Sequence, residues 1–331
     1  MKKFQEFNVV FLAIVLLLAT SACNLDDGVN SIPLPESNII EVASGNTDIS
    51  SLVAAIERAE LTSTLSGNAK FTVLAPTNTA FDAFLAANGF GNVNDVPVST
   101  LKELLLNHLV SGTISAANLA VLQRNYLESL ANGPVDGTKL ALYFDATGGG
   151  VTFNGQSSVT DADILASNGV IHIVDAVVEL PTLDTFISSD ENFEDMGTAL
   201  DLITPVSDLP DEIKDGQNGP FTLFVPSTDA FQALLDSNSD WEFLSDIDEA
   251  LLTSVIAHHA VNGNIRSEGL APETVITTLE GDEITINSLD GNVEITDGSG
   301  NPGSGIAIFN IQALNGVIHI IDKVLIPDTT N

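Results

Sequence analysis

The chain has 331 residues, long enough for two ordinary domains, and sets 45 Asp and Glu against only 10 Lys and Arg, a net charge of −35. Such a body repels phosphate backbones, which need clustered cations to release counterions, and it does not adsorb to bare anionic lipid; nucleic-acid binding is excluded. Hydrophobic residues make up 44% and there is one cysteine, so packed cores are within reach and neither domain can rest on a disulfide.

In chain order, the N-terminus reads as an export signal. Lys2 and Lys3 precede an apolar run from Val9 to Ala19, too short for the roughly 20 residues a spanning helix needs and of the right length for a signal h-region. Thr20, Ser21 and Ala22 lead to Cys23, the sole cysteine. This resembles a bacterial lipoprotein box, although Thr20 stands where Leu is usual. It implies cleavage after residue 22, acylation of Cys23 and membrane attachment through lipid alone, with an outer-membrane or cell-surface location. Ordinary secretion with a free Cys23 is the other reading. Residues 23–37 have Pro, Asp and Ser without periodicity and read as a linker.

The next signal is a helix over Asp48–Leu61, with Ile49, Leu52, Val53 and Ile56 on one face and Asp48 as its N-cap. A strand at Phe71–Leu74 ends at Pro76, and Thr77 is placed to cap a following helix. A helical run through Leu101–His108 points to Gly112 as its C-terminal cap. Leu140–Phe144 and Val151–Phe153 alternate as strands. The same order then returns: a helix at Phe193–Ile203, a strand at Phe221–Val225 with Ser227 as the next cap, a helix from Glu249 to His259 ending toward Gly263, and strands at Ile284–Ile286 and Val293–Ile295.

Two boxes make the repetition explicit. Phe71-Thr-Val-Leu-Ala-Pro-Thr-Asn-Thr-Ala-Phe81 recurs as Phe221-Thr-Leu-Phe-Val-Pro-Ser-Thr-Asp-Ala-Phe231, and Asn168-Gly-Val-Ile-His-Ile-Val-Asp175 as Asn315-Gly-Val-Ile-His-Ile-Ile-Asp322. The spacing is far longer than the roughly 20–50 residues of a solenoid repeat, so each copy is a domain: 38–181 and 182–328, divided at Pro181. Helices early and strands late in each copy give an α+β class.

These paired boxes, with a helical His segment between them, resemble the fasciclin (FAS1) domain in both copies. The resemblance implies a β-sheet wedge with packed helices, found on cell surfaces and in secreted matrices and usually mediating adhesion. Its partners would be a surface protein or polysaccharide of the matrix or of a neighbouring cell. In animal members an Asp-Ile pair before the second box and a Tyr-His segment are implicated in integrin contact. Asp163-Ile164 matches the first, whereas the second copy has Asn310-Ile311. The second motif reads Asn107-His108 and His258-His259, with no Tyr. Asp163, Ile164, Asn107, His108, His258 and His259 are therefore the candidate partner-binding residues. For Asp163 the alternative is a turn residue accepting from backbone amides.

No catalytic apparatus is legible. There is no Gly-x-Ser-x-Gly elbow, no Cys nucleophile in the body and no His-Glu-x-x-His. The five histidines lack zinc-site spacing, and His172 and His319 alternate with valine and isoleucine, so they read as buried, hydrogen-bonded core residues. In His258-His259 one ring is expected to pack and the other to meet solvent, because neighbours on a helix do not share a face. Asp236–Asp240 lacks the Gly and the closing Glu of a calcium loop. The reading is a non-enzymatic protein without a metal or cofactor, acting in adhesion or matrix interaction; the alternative is a small apolar ligand held in a pocket between helices and sheet.

Overall fold

The computed structural model describes residues 35–204, 206–214, 219–289 and 291–328. Cys23, the signal segment and most of the linker lie outside them. Residues 35–331 form one compact unit that contains both copies, and no described helix is long and apolar enough to cross a membrane.

The first copy runs α1 (Ile39–Ser44), α2 (Ser50–Arg58), α3 (Thr62–Leu65), β1 (Phe71–Pro76), α4 (Asn78–Ala87), α5 (Val98–Asn107), β2 (Leu109–Ser111), α6 (Ala116–Leu122), β3 (Arg124–Asn132), β4 (Lys139–Asp145), β5 (Thr152–Phe153), β6 (Ser157–Ala166) and β7 (Gly169–Val174). The second runs α7 (Leu183–Ser189), α8 (Glu194–Ile203), α9 (Leu209–Lys214), β8 (Phe221–Pro226), α10 (Thr228–Asp236), α11 (Glu249–His258), β9 (Ala260–Asn262), β10 (Val275–Thr277), β11 (Glu283–Leu289), β12 (Asn292–Thr296), β13 (Ser304–Ala313) and β14 (Gly316–Ile321).

The two repeated boxes are the two strands that lie side by side. β1 pairs with β7 in parallel, Phe71 opposite Gly169, and β8 pairs with β14 likewise, Phe221 opposite Gly316. Each sheet is therefore mixed: the first strand of each copy returns to lie in parallel against the last. Every residue of β1, β7, β8 and β14 is buried, as expected of strands covered on both faces. In the first copy Leu74 and Val174 face the barrel interior with Leu142, Phe144 and Phe153. Val73, Ile171 and Ile173 face the opposite layer of Leu52, Ile56, Phe81, Leu101 and Leu105 from the helices. Each box thus supplies one strand shared by two cores.

Thr77 and Ser227 cap as the sequence indicates, each hydroxyl accepting from the amide three residues on, Ala80 or Ala230. Asp48 does not. A 3₁₀ turn, Thr47–Ile49, precedes α2; Asn46 caps that turn by accepting from the Asp48 amide, and α2 itself has no side-chain cap. Gly112 and Gly263 are not helix caps either. A short strand separates each from its helix, whose C-cap is His108 or His259. Their φ values of 91° and 101° belong to the turn leaving β2 or β9, where their amides donate to the carbonyls of Lys70 and Pro220.

The copies differ in closure. In the first, β2 meets β3 at Val110–Ser129 and the seven strands close into a barrel. In the second, the order β10-β11-β12-β13-β14-β8-β9 leaves β9 and β10 without a ladder between them. β10 has three residues where β3 has nine, and the segment leading into it carries Pro272, which cannot donate to a ladder.

Candidate functional site

The Asp-Ile pair sits at a break in β6. The β6–β7 register shifts between Asp161 and Ile164, and Asp163 takes φ 61° within that bulge, a left-handed conformation that Asp and Asn tolerate better than other side chains. Two contacts hold it. The Asp163 amide donates to Nδ1 of buried His172 at 3.2 Å. The Ala116 amide at the start of α6 donates to Asp163 Oδ1 at 2.9 Å. His172 Nε2 in turn donates to the Ile114 carbonyl at 2.9 Å. The boxed histidine therefore ties the bulge to the loop after β2. Thr72 closes the same loop from below, its hydroxyl donating to Gly112 O and accepting from Ile114 N, both at 2.9 Å.

The second copy builds the same bulge with Asn310 at φ 64°. Its amide donates to His319 Nδ1 at 3.4 Å, its Oδ1 accepts from Ser267 N at 2.8 Å, and its Nδ2 donates to Ser267 Oγ at 2.7 Å. Both copies thus fill this position with an Asx residue held by the same kind of bond. The negative charge is a choice of the first copy alone. There Asp161, Ala162 and Asp163 are exposed, Ile164 packs into the helix-side core, and Leu165 is 55% exposed. The result is an exposed strip with the Asp163 carboxylate near the apolar Leu165 side chain.

The other candidate contacts are corrected by their burial. Asn107, His108, His258 and His259 are each no more than 1% exposed, so none presents a contact surface. Asn107 donates through Nδ2 to the carbonyls of Val178 and Glu179. His108 donates from Nδ1 to Leu104 O at 2.7 Å and accepts at Nε2 from Val178 N at 2.9 Å. His259 repeats this with Val255 O and Leu325 N. Both rings are neutral hinges joining a helix C-terminus to the segment after the last strand. Burial pulls His108 down to about 4 and His259 down to about 3. His319 is likewise lowered to about 4 by burial.

His258 also fails to meet solvent, against the expectation for that pair. It lies with Glu280 and Asp282, one ligand atom of each within 4.8 Å of the others. Sequence spacing could not reveal this grouping, since the three residues come from α11 and a distant hairpin. The hydrogen bonds decide what the group can do. Gly298 N donates to His258 Nε2 at 3.1 Å, so the neutral ring carries its proton on Nδ1, which faces Thr278 Oγ1 at 3.2 Å and Glu280 at 3.6 Å. Glu280 and Asp282 accept backbone amides from Asp282 and Asp328. With no lone pair left on the ring, the cluster works as a hydrogen-bonded tie and is poorly suited to a metal. Burial lowers His258 despite the opposing carboxylates.

The barrel and sheet interiors are filled by their own side chains. A depression of roughly 460 Å³ beside α11 is lined by Val206, Glu249, Thr253, Ser254, Ala257 and Glu280. It is open and bordered by carboxylates.

Comparison with known proteins finds the same duplication in the sequence. Residues 47–181 and 194–327 each match the fasciclin domain. Human periostin is 29% identical over 279 residues, which cover 82% of this chain and 30% of periostin. Protein sll1483 of Synechocystis sp. is 40% identical over 143 residues, 43% of this chain and 73% of that protein. The chain thus spans under a third of periostin and matches the cyanobacterial protein with a single copy. Among solved structures, a FAS1 domain pair from the insect cell adhesion molecule fasciclin I aligns with a TM-score of 0.48 at 18% identity, covering 87% of this chain and 95% of that one. With the fasciclin domain matched over residues 47–181 and 194–327, the chain belongs to the fasciclin-domain family.

Proposed function

We propose that this protein is a non-enzymatic adhesion or surface-interaction module, held outside the cytoplasm by a lipid on Cys23 at the outer membrane or cell surface. Its partner is a surface protein or polysaccharide of the matrix or of a neighbouring cell, and its contact is the Asp163 strip of the first copy. Membership of the fasciclin-domain family supports the class of activity. The observation that carries the contact is the difference between the copies: one bulge, one hydrogen-bonding scheme, and a solvent-facing carboxylate in the first where the second has a half-buried amide.

Asp163→Asn tests this. The second copy demonstrates that Asn satisfies the bulge, so the variant should keep its melting temperature while losing saturable binding to intact cells and immobilised matrix polysaccharide. Binding equal to wild type would remove Asp163 as the contact. Acylation is checked separately by intact mass of the membrane-extracted protein and its loss in Cys23→Ala.

A further inference from the structure

The two copies meet along a seam that neither needs for its own strand pairing. Ala141 and Tyr143 project from β4 away from the barrel, at positions alternating with interior Leu142 and Phe144. Both are nonetheless buried, at 7% and 1% exposure, because they join the core of the second copy with Leu183, Phe186, Ile311 and Ala313. Tyr126, opposite Tyr143 on β3, packs between Tyr143, tilted by 51°, and Phe186, edge-on at 81°, at ring distances of 5.2 and 5.4 Å. Polar groups pair across the seam at three points, whereas Tyr143 Oη is buried without a partner. Tyr126 Oη donates to buried Asp190 at 2.7 Å, Ser189 Oγ donates to Asn154 O at 2.9 Å, and Arg124 binds Glu191. Burial and Asp190 raise Tyr126, so its hydroxyl stays a donor.

Each copy carries only its own half of this contact. Where α7 presents Phe186, the matching position of α1 is Val42, aligned through the amides of Leu183 and Ile39 that donate to Asn315 and Asn168. Where β4 presents Ala141 and Tyr143, the outward face of β11 has Thr285 and Asn287 beside inward Ile284 and Ile286. The duplicated domains have therefore diverged at their meeting face while keeping their boxes.

We infer that this seam is a conformational lock: β3 and β4 of the first copy complete the hydrophobic core of the second, so the pair holds one orientation and unfolds as one body. Contacts between domains of a single chain are usually small and leave relative motion as the default. Here the covered residues are aromatic, and nearest-neighbour coupling transmits stability across the contact as it does between stacked repeats.

The chain supplies its own probe. Trp241, the only tryptophan, packs on the core of the second copy, so its fluorescence reports that copy while far-UV ellipticity reports both. In urea the full-length protein should give coincident midpoints by the two probes. Tyr143→Ala with Phe186→Ala should separate them, the Trp241 transition moving to lower urea and ellipticity becoming biphasic. Tyr126→Phe, which removes only the seam hydroxyl, should raise the unfolding constant read by Trp241 roughly tenfold, whereas Thr285→Ala on the uncovered face should leave the two probes coincident. Separate midpoints in the wild type, or coincident ones in the double variant, would overturn the lock.

Discussion

Replacing Asn168 by Ala removes a junction on which three segments depend. Asn168 is 4% exposed; its Oδ1 accepts from Ile39 N at 2.8 Å, and its Nδ2 donates to Leu65 O at 2.7 Å and Gly67 O at 2.8 Å. The first bond holds the opening amide of α1, and the other two fix the turn after α3. Truncation leaves Ile39 N and Leu65 O buried without partners, while Gly67 O, nearer the surface, can turn to water. At about 1–3 kcal/mol for each of these two orphaned groups, the loss is about 2–6 kcal/mol. For a cooperative body of this size that corresponds to a fall in melting temperature on the order of 10 °C. Far-UV circular dichroism during heating measures it, and hydrogen exchange at the Ile39 amide localises it. Asn168→Asp should be at least as damaging, since a carboxylate can accept from Ile39 but meets two carbonyl oxygens on its other side. The second copy offers a replica: Asn315 accepts from Leu183 N and donates to Ile213 O. A loss below about 1 kcal/mol in Asn168→Ala, or an Asp variant milder than Ala, would refute the reasoning.

Stability should fall between pH 7 and pH 5. His108 and His319 sit near 4 and His259 near 3 in the fold, against an ordinary 6.5, so the unfolded chain takes up protons first. Their contribution is full above about 6.5 and drains as pH falls toward those folded values. By pH 5 each has cost roughly 2 kcal/mol. Urea midpoints at the two pH values measure this, and a midpoint that rises at pH 5 would contradict it. Gly169→Ala places a Cβ 2.0 Å from Phe71 O, which forces β1 and β7 apart at a cost of about 3 kcal/mol or more. Gly112→Ala has open space around it and φ 91°, so only backbone strain of about 1 kcal/mol is expected; equal losses in the two variants would argue against close strand approach as the reason for the boxed Gly. Thr77→Ala should lower stability by about 1 kcal/mol through loss of the α4 cap, with unchanged β1 amide exchange.

Much of the fold was legible because it depends on local chemistry. The duplication, the caps at Thr77 and Ser227, and the strands within both boxes follow from hydroxyl placement and apolar runs. The Asp48 expectation failed because Asn46, two residues earlier, opens a 3₁₀ turn that takes the capping geometry first. Asp163 was legible as an Asx residue before a strand, but its bulge was not. The pattern of β6 does not encode a register shift, which arises where His172 offers an acceptor to the displaced amide.

The sequence by itself thus determined two copies, their α+β class and their acidic surface. Only tertiary structure decided where side chains of ambiguous periodicity finished. His258 and His259 both ended inside because α11 stops between two coverings, the hairpin bearing Thr278 on one side and the terminal segment bearing Leu325 on the other. Tyr126, Ala141 and Tyr143 occupy outward strand positions that alternation assigns to solvent, and they are covered because the second copy docks there. Alternation reports which face of a strand a residue takes, whereas burial of that face depends on a partner remote in the chain.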